Sequence, residues 1–70
     1  MSLRTRLLQR IGQRVVELDL GVSSVQLRRD PQRVLNQALS LIGAPRVHST
    51  QNIGELRRAA LALEAAGGAE

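Results

Sequence analysis

Residues 30–45 read DPQRVLNQALSLIGAP, and this stretch contains the clearest helix signal in the chain. Asp30 is a favoured helix N-cap, and Pro31 already has the backbone angle of a first helical position. Gly43, followed by Ala and Pro, stops a helix. We therefore predict a helix over 31–43, with an apolar stripe made of Val34, Leu35, Ala38, Leu39, Leu41 and Ile42.

Upstream of this stretch, a second amphipathic pattern predicts a helix over 3–20. Its apolar residues recur every three or four positions, as on one helical face: Leu3, Leu7, Leu8, Ile11, Val15 and Leu18. Ser2 is a natural N-cap, and Gly21 is a natural residue just past the C-terminal end. Over 16–22, apolar and polar residues also alternate as in a β-strand. We favour the helix because its period holds for four turns.

Downstream, Asn52 and Glu55 have the spacing of a capping box and begin a helix over 52–66. Ser23 and Gln26 have the same spacing, which predicts a short extra helical turn over 24–29. The expected fold is therefore a single all-α domain over residues 1–70, a small bundle of three main amphipathic helices.

The composition argues against an enzyme. The chain has 70 residues with no Cys, no Lys and no aromatic residue, and it contains one His. No Cys, Lys or Tyr is thus available as a nucleophile or acid, and the six carboxylates show no catalytic or metal-ligand spacing. No glycine-rich phosphate loop is present. We expect no catalytic residues, no metal and no cofactor.

The same composition predicts self-association. A domain of this size buries only about 60 % of the surface that its unfolded chain exposes. Small domains are usually reinforced by disulfides, a metal, oligomerisation or very regular helix packing. Without Cys or large aromatic side chains, helix packing and oligomerisation remain. We expect a homo-oligomer, most simply a dimer.

The positive charge is concentrated before residue 30. The net charge of the chain is +4, and all ten basic residues are Arg. Arg6, Arg10 and Arg14 are spaced four residues apart and share one ridge of the first helix. This ridge has two interpretations of similar weight. It contacts an acidic partner or phosphates, or it is a solvated flank whose stems cover apolar surface and whose Arg14 pairs with Glu17.

The last helix has apolar residues on more than one face. Its main stripe consists of Ile53, Leu56, Ala59, Ala60, Leu63 and Ala66. Leu61 projects away from this stripe, and several alanines permit close approach of another helix. We expect Leu56 and Leu61 to contact a partner, together with Arg6, Arg10 and Arg14. The leading hypothesis is a small protein–protein interaction module of the adaptor, chaperone, anti-activator or phage-inhibitor type. A cytoplasmic protein of bacterial or phage origin is expected.

The alternative hypothesis is a dimeric regulator that binds duplex DNA through a helix-turn-helix-like unit. Gln51 and Asn52 precede the last helix and have side chains suited to adenine edges, while Arg57 and Arg58 follow one turn later. The long connection after Gly43 argues against this motif. Single-stranded nucleic acid is not expected because no aromatic ring is available for stacking on bases. A peripheral membrane role for the first helix is a third, weaker hypothesis.

Overall fold

Four helices form in residues 1–67, the part of the chain that the computed structural model describes, and no strand occurs in that range. They are α1 (Leu3–Glu17), α2 (Ser24–Arg29), α3 (Pro31–Leu41) and α4 (Ile53–Ala66). The predicted all-α bundle is confirmed, including the short additional helix at 24–29.

α1 is the central helix of the bundle, because both α2 and α4 pack against it. Arg4, near the start of α1, bonds to Thr50, just before α4 begins, and Arg14 bonds to Leu63 near the end of α4. α1 and α4 therefore run side by side in the same direction. α2 and α3 connect them, with α3 packing against both α2 and α4.

The core is entirely aliphatic. Fourteen apolar residues are buried, and those with no measurable exposure are Val15, Leu35, Ala38, Leu39, Leu56 and Leu63. They come from all three longer helices, at the spacings that the sequence pattern predicts. Val22 and Val47 add to the core from the connecting segments.

α1 ends at Glu17, three residues before the predicted end, so the boundary of the 3–20 helix is wrong at its C-terminus. Asp19 has a φ of 56°, and its N–H donates to the Val16 carbonyl at 3.1 Å. The N–H of Leu20 bonds to the Val15 carbonyl at 3.4 Å. These two bonds form a Schellman-type C-cap with Asp19 as its left-handed residue. Gly21, at a φ of 73°, is also left-handed but lies outside this cap. Asp tolerates this conformation better than most side chains.

α3 ends at Leu41, two residues before its predicted end, with Gly43 in the left-handed conformation at a φ of 72°. The N–H of Gly43 donates to Ser40 at 3.1 Å, and that of Ala44 donates to Leu39 at 2.9 Å. The stop signal at Gly43 is thus confirmed. The predicted boundary is late because Gly43 lies outside the helix that it caps.

The N-terminal signals are confirmed at three helices. Ser2 and Asn52 each accept an N–H from the residue three positions later, and Ser23 forms both bonds of a capping box with Gln26. The box predicted at Asn52 forms only this one bond, because the Glu55 carboxylate accepts the His48 N–H instead. Asp30 differs, since it precedes α3 without a side-chain cap bond. Its carboxylate instead accepts from Arg33 at 2.8 Å, and this bond lowers the pKa of Asp30.

A buried amide organises the long segment between α3 and α4. The side-chain N–H of Asn36 donates to the Val47 carbonyl at 2.9 Å, and the Val47 N–H donates to Asn36 Oδ1 at 2.7 Å. The Asn36 side chain thereby satisfies both backbone polar groups of the buried Val47, its N–H and its carbonyl. Val47 can enter the core only because this pairing exists.

We predict that Asn36→Ala lowers the free energy of unfolding by about 2 kcal/mol or more, because it leaves both buried backbone groups of Val47 without partners. Chemical denaturation measures this change. Gln37→Ala, on the exposed side of the same helix, is the matched control and is expected to change stability by less than about 0.5 kcal/mol. Equal losses of stability in the two variants would contradict the structural role of the Asn36–Val47 pairing.

Candidate functional site

The three arginines of the predicted ridge have different environments. Arg14 reaches α4, where its Nε donates to the Leu63 carbonyl and its Nη2 to the Glu64 carbonyl, both at 3.1 Å. These carbonyls belong to the last turn of α4, which lacks a basic residue of its own. Arg14 therefore caps α4 from the neighbouring helix and opposes the negative end of its dipole. Its side chain is only 25 % exposed, so its role is largely structural.

Arg4 makes an equivalent connection at the other end of the α1–α4 pair, and the sequence analysis missed it. Its Nε donates to the Thr50 carbonyl at 2.9 Å, and its Nη2 lies 3.4 Å from Thr50 Oγ1. One signal was present in the sequence. Arg4 precedes Ile11 by seven residues and so lies on the apolar face of α1, where a charged side chain needs a specific partner.

Arg10 and Arg6 lie on the solvent side of the ridge. Arg10 forms an ion pair with Glu64 while its side chain remains 60 % exposed. Arg6 is exposed and makes no side-chain hydrogen bond or ion pair with any residue in 1–67. An exposed ion pair contributes little to stability, about 0.2–1 kcal/mol. These two guanidinium groups are consequently accessible to a partner.

Leu61 lies on the solvent side of α4. It is 59 % exposed, with Arg57 one turn before it and Glu64 one turn after it on the same edge of α4. Glu64 pairs with Arg10, so this edge of α4 adjoins the Arg10 edge of α1. Leu3, on that edge of α1, is 47 % exposed. We call this surface the α1–α4 face: Leu3, Arg6, Arg10, Arg57, Leu61 and Glu64.

Leu56 does not belong to this face. It has no measurable exposure and lies on the inward side of α4 with Ala59, Ala60 and Leu63. The predicted partner contact of Leu56 is therefore excluded while the bundle is folded. Leu61, five residues further along, projects about 140° away from Leu56 around the helix axis.

The residues proposed for DNA binding are partly engaged within the chain. The Asn52 side chain accepts the Glu55 N–H at 3.1 Å, which uses its oxygen as a helix cap. Arg58 lies 3.6 Å from the Glu55 carboxylate and donates to the Arg46 carbonyl at 3.4 Å. Gln51 and Arg57 are exposed.

The connection between α3 and α4 also differs from that of a helix-turn-helix. It covers residues 42–52, whereas that motif uses a turn of three or four residues. The carboxylate of Glu55 accepts the His48 N–H at 2.8 Å and so places a negative charge at the start of α4. A phosphate approaching the N-terminus of α4 would meet this charge.

A groove between α1 and α2 is a feature that the sequence analysis missed. Its volume is about 860 Å³, and it is open to solvent. It is lined by Thr5, Leu8, Gln9, Gly12, Gln13, Val16, Glu17, Ser24, Leu27 and Arg28. In the sequence, Val16 lies outside the apolar stripe of the first helix. In the structure its side chain is 56 % exposed. The groove itself depends on the angle between two helices, which periodicity does not specify.

No protein-family model matches the chain, and no curated protein or solved structure is significantly similar to it. Among residues 1–67, none of the helices combines the length and apolarity needed to cross a bilayer. Within the same range, no three His, Cys, Asp or Glu side chains are grouped as metal ligands would be.

We predict that Arg14→Met lowers the free energy of unfolding by about 2 kcal/mol, since it keeps the apolar stem but removes the donors to α4. Arg6→Met is the control on the same ridge and is expected to change stability by less than about 0.5 kcal/mol. Thermal and denaturant unfolding followed by circular dichroism measures both. An Arg14→Met protein as stable as the wild type would contradict the capping role.

Proposed function

We propose that this protein is a small helical interaction module that self-associates. We also propose that it binds an acidic protein partner through the α1–α4 face. The observation that carries the proposal is the exposure of Leu61 on α4, with Arg57 one turn before it and the Arg10–Glu64 pair one turn after it. Such a surface has the arrangement of an interface, with apolar anchors inside a polar rim. Adaptors, chaperones, anti-activators and phage-encoded inhibitors of bacterial cytoplasmic proteins act in this way.

The apolar residues of the face supply affinity. Complete burial of one leucine side chain contributes about 1.5–3 kcal/mol. Leu61 is 59 % exposed in the part of the chain that the structure describes. A partner side chain packed between Leu61 and the arginine stems would remove apolar surface from water on both proteins.

The charges of the face determine which partner it attracts. Arg6, Arg10 and Arg57 are exposed, and Glu64 is the one acid among the six residues that define the face. Carboxylates on a partner would be steered toward this surface and would bond to guanidinium groups in bidentate fashion. The chain's net charge of +4 adds a long-range attraction in the same direction.

The face supports protein binding better than DNA binding. A duplex requires many phosphate contacts along one surface, and apolar side chains contribute little to them. Leu61 and Leu3 have no role in a phosphate interface. Arg58 and Asn52, two of the four residues proposed to contact DNA, already bond to groups of their own chain.

The test of this proposal is site-specific photo-crosslinking in cells that carry the gene. A photoreactive amino acid replaces Leu61 in one protein and Leu41 in another, since Leu41 is equally exposed at 61 % but lies on α3. We expect an adduct with an acidic protein at position 61 and none at position 41. Arg6→Glu combined with Arg10→Glu should reduce the yield at position 61 by about tenfold, because it reverses the steering charge.

Equal adducts at both positions would contradict the proposal.

A second measurement tests DNA binding directly, using fluorescence anisotropy with a random duplex at low salt. Tight binding that weakens steeply as salt rises, and that is lost in the variant with Arg57→Ala and Arg58→Ala, would favour the regulator hypothesis instead.

A further inference from the structure

We infer that the α1–α2 groove is the self-association surface and that its occupant is a second copy of this chain, related by a two-fold axis. The inference rests on the self-association included in the proposed function, and it adds the surface and the residues that form it. The α1–α4 face is then free for a different partner.

The groove has an apolar centre that is poorly covered by its own chain. Val16 is 56 % exposed, and Leu8 beside it is partly buried against the core. Gly12 forms part of the floor, where a Cβ would lie 3.5 Å from Leu27 Cδ2 and 3.7 Å from Ser24 Cβ. Gly12 is buried and these are ordinary contact distances, so α1 and α2 approach each other closely at the floor of the groove.

The charges of the groove are balanced, unlike those of the α1–α4 face. Its ten lining residues include one acid, Glu17, and one base, Arg28. Glu17 lies in the last turn of α1, which is one wall, and Arg28 lies in the last turn of α2, which is the other. Within residues 1–67 Glu17 pairs with Arg14 of its own helix at 3.5 Å, not with Arg28, and its side chain remains 65 % exposed. The α1–α4 face carries three exposed arginines and would repel a second copy.

This charge pattern is complementary to itself. An isologous interface joins the same patch on two molecules, so that a residue i that meets j is matched by j meeting i. When the α1 wall of one copy lies on the α2 wall of the other, Glu17 of each copy meets Arg28 of the second copy. Val16 of each copy then packs into the apolar centre of the opposite groove, which removes the most exposed apolar side chain of the groove from water.

The test is sedimentation equilibrium on the full chain with Glu17→Arg and Arg28→Glu as separate variants. Each variant alone places like charges at both contact points, and we expect its dimer to dissociate at about tenfold or more higher concentration than the wild type. An equimolar mixture of the two should recover the dimer, because both contact points then join an acid and a base. Arg29→Glu, next to Arg28 but outside the groove lining, is the matched control and should retain the wild-type dimer.

The outcomes separate this inference from the broader proposal. A wild-type chain that remains monomeric up to millimolar concentration would overturn both self-association and the inference. A wild-type dimer that both charge variants preserve would overturn only the inference and assign the contact to another surface. Loss of the dimer in the single variants without recovery in the mixture would also overturn it. Far-UV circular dichroism on every variant checks that helix content is unchanged.

Discussion

The pairing of the Asn36 amide with the backbone of Val47 is the constraint on which the position of α4 depends. The segment between α3 and α4 contributes one buried valine, and a buried valine needs partners for its peptide groups. Asn36 supplies both from a helix that is already in place. This fastens the segment across the bundle, so that α4 begins near the start of α1 and the two helices run in parallel. The α1–α4 face exists because of that arrangement.

Arginine serves three purposes along α1, although the sequence shows one repeated residue type. Arg4 and Arg14 each donate to backbone carbonyls at opposite ends of the α1–α4 pair, and both are partly buried. Arg10 pairs with an acid at the surface, and Arg6 faces solvent. A guanidinium group suits all three environments, since it combines a long apolar stem with several fixed donors. The same residue type thus stabilises the bundle and borders its proposed binding surface.

Local signals predicted most of the fold because they depend on bonds within one segment. Ser2, Ser23 and Asn52 cap their helices as the sequence indicates, and Gly43 ends α3. The end of α1 was predicted too late because the left-handed residue of its C-cap is Asp19, two residues before Gly21. Its two cap bonds place Leu20 against the core, and this packing selects the earlier stop.

The sequence by itself determined the helices, their approximate limits and the apolar faces that the longer helices present to the core, because hydrophobic periodicity and capping are short-range properties. It also identified Arg6, Arg10 and Leu61 as surface candidates. Only the tertiary structure decided that Val47 belongs to the core, that Arg14 caps a helix 49 residues away, and that α1 and α2 enclose a groove. These facts depend on the directions in which helices cross, and those directions are set by contacts between residues distant in sequence.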